Sequence, residues 1–150
     1  MKTSRAGIDL IKHFESFQPG VYLCPAGKPT IGYGHAIRPG ESFNDPISEE
    51  TACEILGRDL GFFEIVVRNA VKVPLNQSRF SALVSFAFNI GETAFRNSRL
   101  TRMVNNMDFE GAAGEFGKWV YATLGGAKVK MKGLADRRMA ERELFEKEEA

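Results

Sequence analysis

Three side chains early in the chain have the types and spacing for acid–base work. Glu15 is followed after eight residues by Cys24, and after five more by Thr30, which opens the glycine-laced run "IGYGH". A carboxyl, a thiol and a hydroxyl supply a proton donor, a latent anion and a group able to hold water. Cys24 itself admits three readings: half of a disulfide with Cys53, a nucleophile paired with a histidine, or a thiol standing where a second catalytic carboxylate would be. Each residue alone also has a plainer explanation. Glutamates at helix ends are often just solvated, and Cys24 and Thr30 read equally well as a small buried hydrophobe and a good strand former.

The elements that must position them follow from pattern. Ser4 caps a helix over the first 15 residues, with Ile8 and Ile11 on one stripe. Continuing that stripe by one helical step lands on Glu15, on the buried-facing side of the last turn. Lost hydration and the negative end of the helix dipole both favour its protonated form, as a general acid near neutral pH requires. The runs "GVYLC" and "TIGYGHAI" flank "PAGKP", which predicts a β-hairpin with a five-residue loop. Cys24 and Thr30 then flank the turn as a direct pair, with Cβ atoms ~4.5–5.5 Å apart. Strand alternation puts Gly32 and Gly34 on the face of Thr30, open to close approach, and turns Ile31, Tyr33 and His35 away. His35 therefore reads as structural. Since His13 is the one other histidine, a Cys–His pair is disfavoured.

A second long helix is expected after "NDPISEE", capped by Ser48 and continuing to Pro74 along Ala52, Ile55, Leu56, Phe63, Val66, Val67 and Ala70. Gly57 and Gly61 weaken its middle by ~1 kcal/mol each relative to alanine. Further helices are predicted from Asn76 to Gly91, from Ser98 and from Asp108; "LGGAKVKMKG" reads as a polar break before a last helix from about Leu134 to Glu148. On that helix Leu134, Arg138, Glu141 and Phe145 share a face, with an Arg138–Glu141 ion pair at (i, i+3) docking it. Trp119 reads as core. The fold class is α+β: a small N-terminal β-hairpin lobe joined by a long helix to a larger helical lobe, with a cleft between them. Along the chain this divides into residues 1–46, the connecting helix 47–72 and the helical lobe 73–150.

Composition restricts function. At 150 residues with 43% hydrophobic and 26% charged side chains, the chain is the size and make-up of one soluble globular domain. No apolar run approaches the ~18 residues that span a bilayer, so no membrane insertion is expected. The charged N-terminal stretch does not read as a signal peptide, which predicts a cytoplasmic chain with free thiols. The cysteine and histidine spacing supports no metal site. Charge is uneven: residues 96–142 carry 10 basic and 5 acidic side chains, a local excess of +5. That is either a solvated surface or a lobe drawn to a polyanion such as nucleic acid, acidic lipid or an anionic wall polymer.

The spacing of Glu15, Cys24 and Thr30 before "IGYGH" resembles the catalytic signature of phage-type lysozymes, the endolysin glycoside hydrolases. So do "FSALVSFAFNIGETAFRNSRL", "GAAGEFGKWVYA" and "KGLADRRMAERELF", in order over nearly the whole chain. The resemblance implies a lysozyme-like fold and a muramidase that hydrolyses the β-1,4 bond between N-acetylmuramic acid and N-acetylglucosamine. It implies Glu15 as general acid, Cys24 as the second catalytic group where aspartate is common, and Thr30 as the holder of water. It further implies Tyr33, Phe88, Asn89 and Tyr121 lining the cleft and peptidoglycan strands as the partner. On this reading there is no cofactor and no nucleic acid, the protein is a monomer, and it accumulates in the host cytoplasm until the inner membrane is permeabilised. An inverting outcome is expected if the two catalytic groups stand roughly 6.5–9.5 Å apart. Two rivals remain at this stage, a lytic transglycosylase on the same bond and an inactive wall-binding module.

Overall fold

The computed structural model describes residues 1–148, so the last two positions of the 73–150 lobe lie outside it. Helix α1 (Arg5–Glu15) leads into strands β1 (Gln18–Leu23), β2 (Pro29–Gly32) and β3 (His35–Ala36), which form one antiparallel sheet in that order. The long helix α2 (Glu49–Ala70) connects to α3 (Gln77–Ile90), α4 (Glu92–Asn97), α5 (Arg99–Asn105) and α6 (Phe109–Glu115). A single 3-10 turn, a two-stranded ribbon β4 (Tyr121–Leu124) and β5 (Ala127–Lys130), and helix α7 (Lys132–Glu146) complete the chain. The expected α+β architecture is present, with its small sheet, its long connecting helix and its larger helical lobe.

The helix starts follow the expected chemistry. Ser4, Ser48, Asn76, Ser98 and Asp108 each accept a hydrogen bond from a backbone N–H in the first turn of their helices. Each such cap is worth ~1 kcal/mol. Helix α3 is the centre of the core: the eight consecutive side chains from Phe80 to Ala87 are buried, and so is Ser78 before them. α1, α2, α4 and α7 all pack on it. Although α1 opens the segment assigned by sequence to the first lobe, it packs on α3 and α7 of the helical lobe. Trp119 is half-buried, its ring edge-on to Phe86 at 5.7 Å.

Two sequence expectations change, and a buried carboxylate adds to them. The stretch "LGGAKVKMKG" is not an irregular break: Gly125 and Gly126, at φ 56° and 83°, make the two-residue turn of the β4–β5 ribbon. Paired glycines at positive φ are the signal for such a turn. The run "TIGYGHAI" is not one strand either. Gly32 and Gly34 take φ of 68° and 71° and fold it back, so that Ile31 pairs with His35. Simple alternation across the run therefore fails. Finally, Glu64, inside the apolar stripe of α2, is buried and accepts from the N–H and hydroxyl of Thr3, both at 2.7 Å. It fixes the start of α1 to α2.

His35 is structural, as expected. Its ring is buried and its nitrogens face Asp59 of α2 at 2.8 Å and Glu41 at 3.1 Å, tying β3 and the following loop to the long helix.

Candidate active site

Glu15 is the last residue of α1. Ser16 follows at φ 59°, a conformation uncommon outside glycine, and turns the chain sharply away. The Glu15 side chain is 18% exposed, and its Oε2 accepts from Arg137 Nη1 at 2.5 Å. Arg137 was not singled out from sequence; its neighbour Arg138 was. Arg137 also donates through Nε to Glu141 at 3.1 Å and through Nη2 to the carbonyl of Ser85 at 3.1 Å. Glu141, fully buried, accepts from the Ser85 hydroxyl at 2.5 Å and pairs with Arg138 at 3.3 Å. The expected Arg138–Glu141 pair is thus present, but as half of a row of alternating charges running from Glu15 into the core. Burial pulls the Arg138 guanidinium down to about 10, still cationic at neutral pH, and pushes the Glu141 carboxyl up against the pull of both arginines. Arg137 is a partner of Glu15 that the helical stripe alone does not reveal.

The free oxygen of Glu15 lies against Gly34. A Cβ added there would overlap Oε1 and stand 2.9 Å from Cδ. The glycine-laced run thus does permit a close approach, and what approaches is the carboxyl itself.

Cys24 and Thr30 come together on the sheet, but not as a direct pair. The register sets Tyr22 opposite Thr30 and Leu23 opposite Pro29, and the Cys24 N–H donates to the Lys28 carbonyl at 2.9 Å. The pairing runs further toward the turn than a five-residue loop allows. Tyr22, Cys24 and Thr30 therefore share a face, with the thiol diagonal to the hydroxyl. Thr30 is buried and donates to the Lys28 carbonyl at 2.9 Å. The N–H of Lys28 points at Cys24 Sγ from 3.4 Å and draws the thiol below its ordinary range, helped by the Ala26 amide, Thr30 and, least, the Lys28 charge; loss of water opposes it. The main cause is thus a backbone amide rather than a neighbouring cation. Both cysteines are free, which removes the disulfide reading.

Tyr22 is a member of this group that the sequence reading passed over, although the alternation that places Cys24 also places it. Its phenol is pushed up by burial first and then by the charges of Glu15 and Cys24, so it lies within electrostatic range of both. The four expected cleft residues separate. Asn89 is exposed and accepts from Arg138, which links it to the charge row. Tyr33 is buried at the tip of the β2–β3 turn; its hydroxyl donates to Glu49 at 3.0 Å, and burial with that carboxylate pushes the phenol up to about 12. Phe88 is half-buried against Phe63 at 5.4 Å, and Tyr121 stands exposed on the ribbon opposite Lys130. Among the described residues no group of three or more His, Cys, Asp or Glu side chains is placed to hold a metal ion.

A sheet and a helical lobe joined by one long helix, with a carboxyl on one and a thiol–hydroxyl pair on the other, define a lysozyme-like protein. The model of the phage lysozyme family matches residues 12–141. The endolysin of Acyrthosiphon pisum secondary endosymbiont phage 1 is 39% identical over 146 residues, covering 97% of this chain and 99% of its own. That of Bacillus phage B103 is 43% identical over 97% of this chain, which spans 54% of that longer protein. Among solved structures, the endolysin from Escherichia coli O157:H7 phage FAHEc1 superposes with a TM-score of 0.89 at 37% identity, covering 97% of this chain and 94% of its own. The muramidase domain of SpmX from Asticaccaulis excentricus gives 0.90 at 37%, covering 98% and 99%. The chain belongs to the phage lysozyme family and is a glycoside hydrolase.

Proposed function

We propose that the chain is an endolysin that hydrolyses the β-1,4 bond between N-acetylmuramic acid and N-acetylglucosamine in peptidoglycan. Glu15 is the general acid, and Cys24 with Thr30 positions and activates the water. The observation that carries this reading is the placement of Glu15: a partly buried carboxyl with one oxygen fixed by Arg137 and the other free beside Gly34. With Oε2 engaged, Oε1 is the oxygen that carries the proton to the glycosidic oxygen as the bond breaks. The water's oxygen bonds to the anomeric carbon as its proton passes to the Cys24 thiolate, and both groups re-equilibrate with solvent before the next turnover. The lowered thiol supports an anionic role for Cys24 that an aspartate would play outright. The Thr30 hydroxyl, donating to the Lys28 carbonyl, keeps its lone pairs free to accept from the water.

The same reading places the protein in the host cytoplasm, with access to the wall after membrane permeabilisation. No described helix is long and apolar enough to cross a membrane. The deciding experiment is the mass of fragments released from purified peptidoglycan. Muramic acid with a free reducing end supports hydrolysis; an anhydro-muramic product would replace it with a lytic transglycosylase, and no fragments at all would leave a wall-binding module.

A further inference from the structure

The β4–β5 ribbon is used by neither the core nor the catalytic group. Its register sets Tyr121 opposite Lys130 and Thr123 opposite Lys128, so these four side chains share one face. Tyr121 is 55% exposed on it, and both lysines are exposed. From Lys118 to Lys132 the chain has four lysines and no acidic residue. Two of the four are neutralised, Lys118 by Glu115 at 2.6 Å and Lys132 by Asp136 at 2.7 Å. The side chains of Lys128 and Lys130 have no ion pair or hydrogen bond among the described residues. Lys130 also lines a groove of about 250 Å³ with Val120, Arg138, Met139 and Arg142, whose wall holds no acidic side chain.

An exposed aromatic ring beside uncompensated ammonium groups suits a ligand with a flat apolar surface and nearby anions. A sugar ring covers the tyrosine, and carboxylates carried on the polymer's peptide stems meet the lysines. The ribbon's place in the chain favours one occupant. Helix α7 starts two residues after Lys130, and Arg137, which holds Glu15, follows five residues into it, roughly 7.5 Å along the axis at 1.5 Å per residue. The ribbon is thereby joined directly to the helix that holds Glu15, which makes the polymer bound at Glu15 its occupant.

We propose that the face formed by Tyr121, Lys128 and Lys130 is an accessory binding surface for an anionic glycan, gripping the wall polymer away from the bond that is cut. This rests on the reading of the chain as a peptidoglycan hydrolase. The test compares the parent with Lys128→Gln/Lys130→Gln and with Tyr121→Ala, on intact walls and on walls whose carboxylates have been amidated. On intact walls Lys128→Gln/Lys130→Gln raises KM about five-fold with kcat unchanged, the equivalent of ~1 kcal/mol of binding; Tyr121→Ala raises KM by a similar factor. On amidated walls the parent loses its advantage over the lysine variant. Co-sedimentation with the same walls, which needs no hydrolysis, reads the ribbon separately from the activity. Equal KM and equal co-sedimentation on intact walls would overturn the proposal, as would a lysine effect that survives amidation, or capture by anionic vesicles in place of walls.

Discussion

The two sides of the candidate site are built in opposite ways. On the acid side, Glu15 is the outer end of an alternating row with Arg137, Glu141 and Arg138, the last three all but removed from solvent. On the thiol side, Cys24 sits in an exposed turn held by backbone bonds: its N–H to the Lys28 carbonyl, its carbonyl from the Gly27 N–H at 2.7 Å, and the Lys28 N–H to its sulfur. The first side sets orientation by paired charges, which are stable only as long as each partner remains. The second sets the chemistry of one atom by aiming amides at it, at little cost in buried polarity. On the proposed assignment, position is specified where the proton leaves, and charge is tuned where the water is held.

The largest expected effect breaks the acid side at its tip. Glu15→Gln keeps the shape but cannot donate a proton, and is expected to lower release of reducing ends by about 10²–10⁴-fold with little change in wall binding. Clearance at the parent's rate would end the assignment. Removing the row from behind comes next: Glu141→Ala leaves two buried arginines without their shared carboxylate and is expected to cost ~3–5 kcal/mol, read as a fall in Tm. The thiol side should yield more gently in stability but clearly in rate. Cys24→Ser is expected to lose about 10²-fold in kcat while Cys24→Asp loses less, because aspartate restores an anion and serine does not; equal loss in both would make the position structural. Alkylation of Cys24 should track the serine variant.

The smallest effect is a shift in a pH profile. With the Cys24 thiol lowered and its thiolate the proposed working form, activity is expected to fall as pH drops through that lowered value. Cys24→Asp carries an anion down to the carboxylate range, so its acid limb should move to lower pH. A limb that stays in place would assign it to another group.

Much of the acid side was legible because helical periodicity is robust: one step beyond Ile8 and Ile11 gives Glu15, and one face of the last helix gives Arg138 and Glu141. Arg137 was missed because it lies one position off that face, where only the packing of α7 against α1 and α3 turns it inward. Glu64 escaped for a related reason, since its partner Thr3 lies 61 residues away. The sheet was harder. Strand alternation assumes φ stays extended, and Gly32 and Gly34 break that assumption, so Tyr33 is swung to a turn tip and buried. The hairpin register slid because the turn closes on Cys24 and Lys28 rather than outside them, which brought Tyr22 to the place expected for Cys24. In the ribbon, two adjacent glycines were read as a break when their φ values make a turn.

Helix α1 is fastened at both ends, by Glu64 to Thr3 at its start and by Arg137 to Glu15 at its finish. Eleven residues, about 16 Å of helix, thus behave as a strut pinned to α2 and α7. The Glu15 carboxyl therefore takes its position from two helices at once, and loosening either fastening moves it.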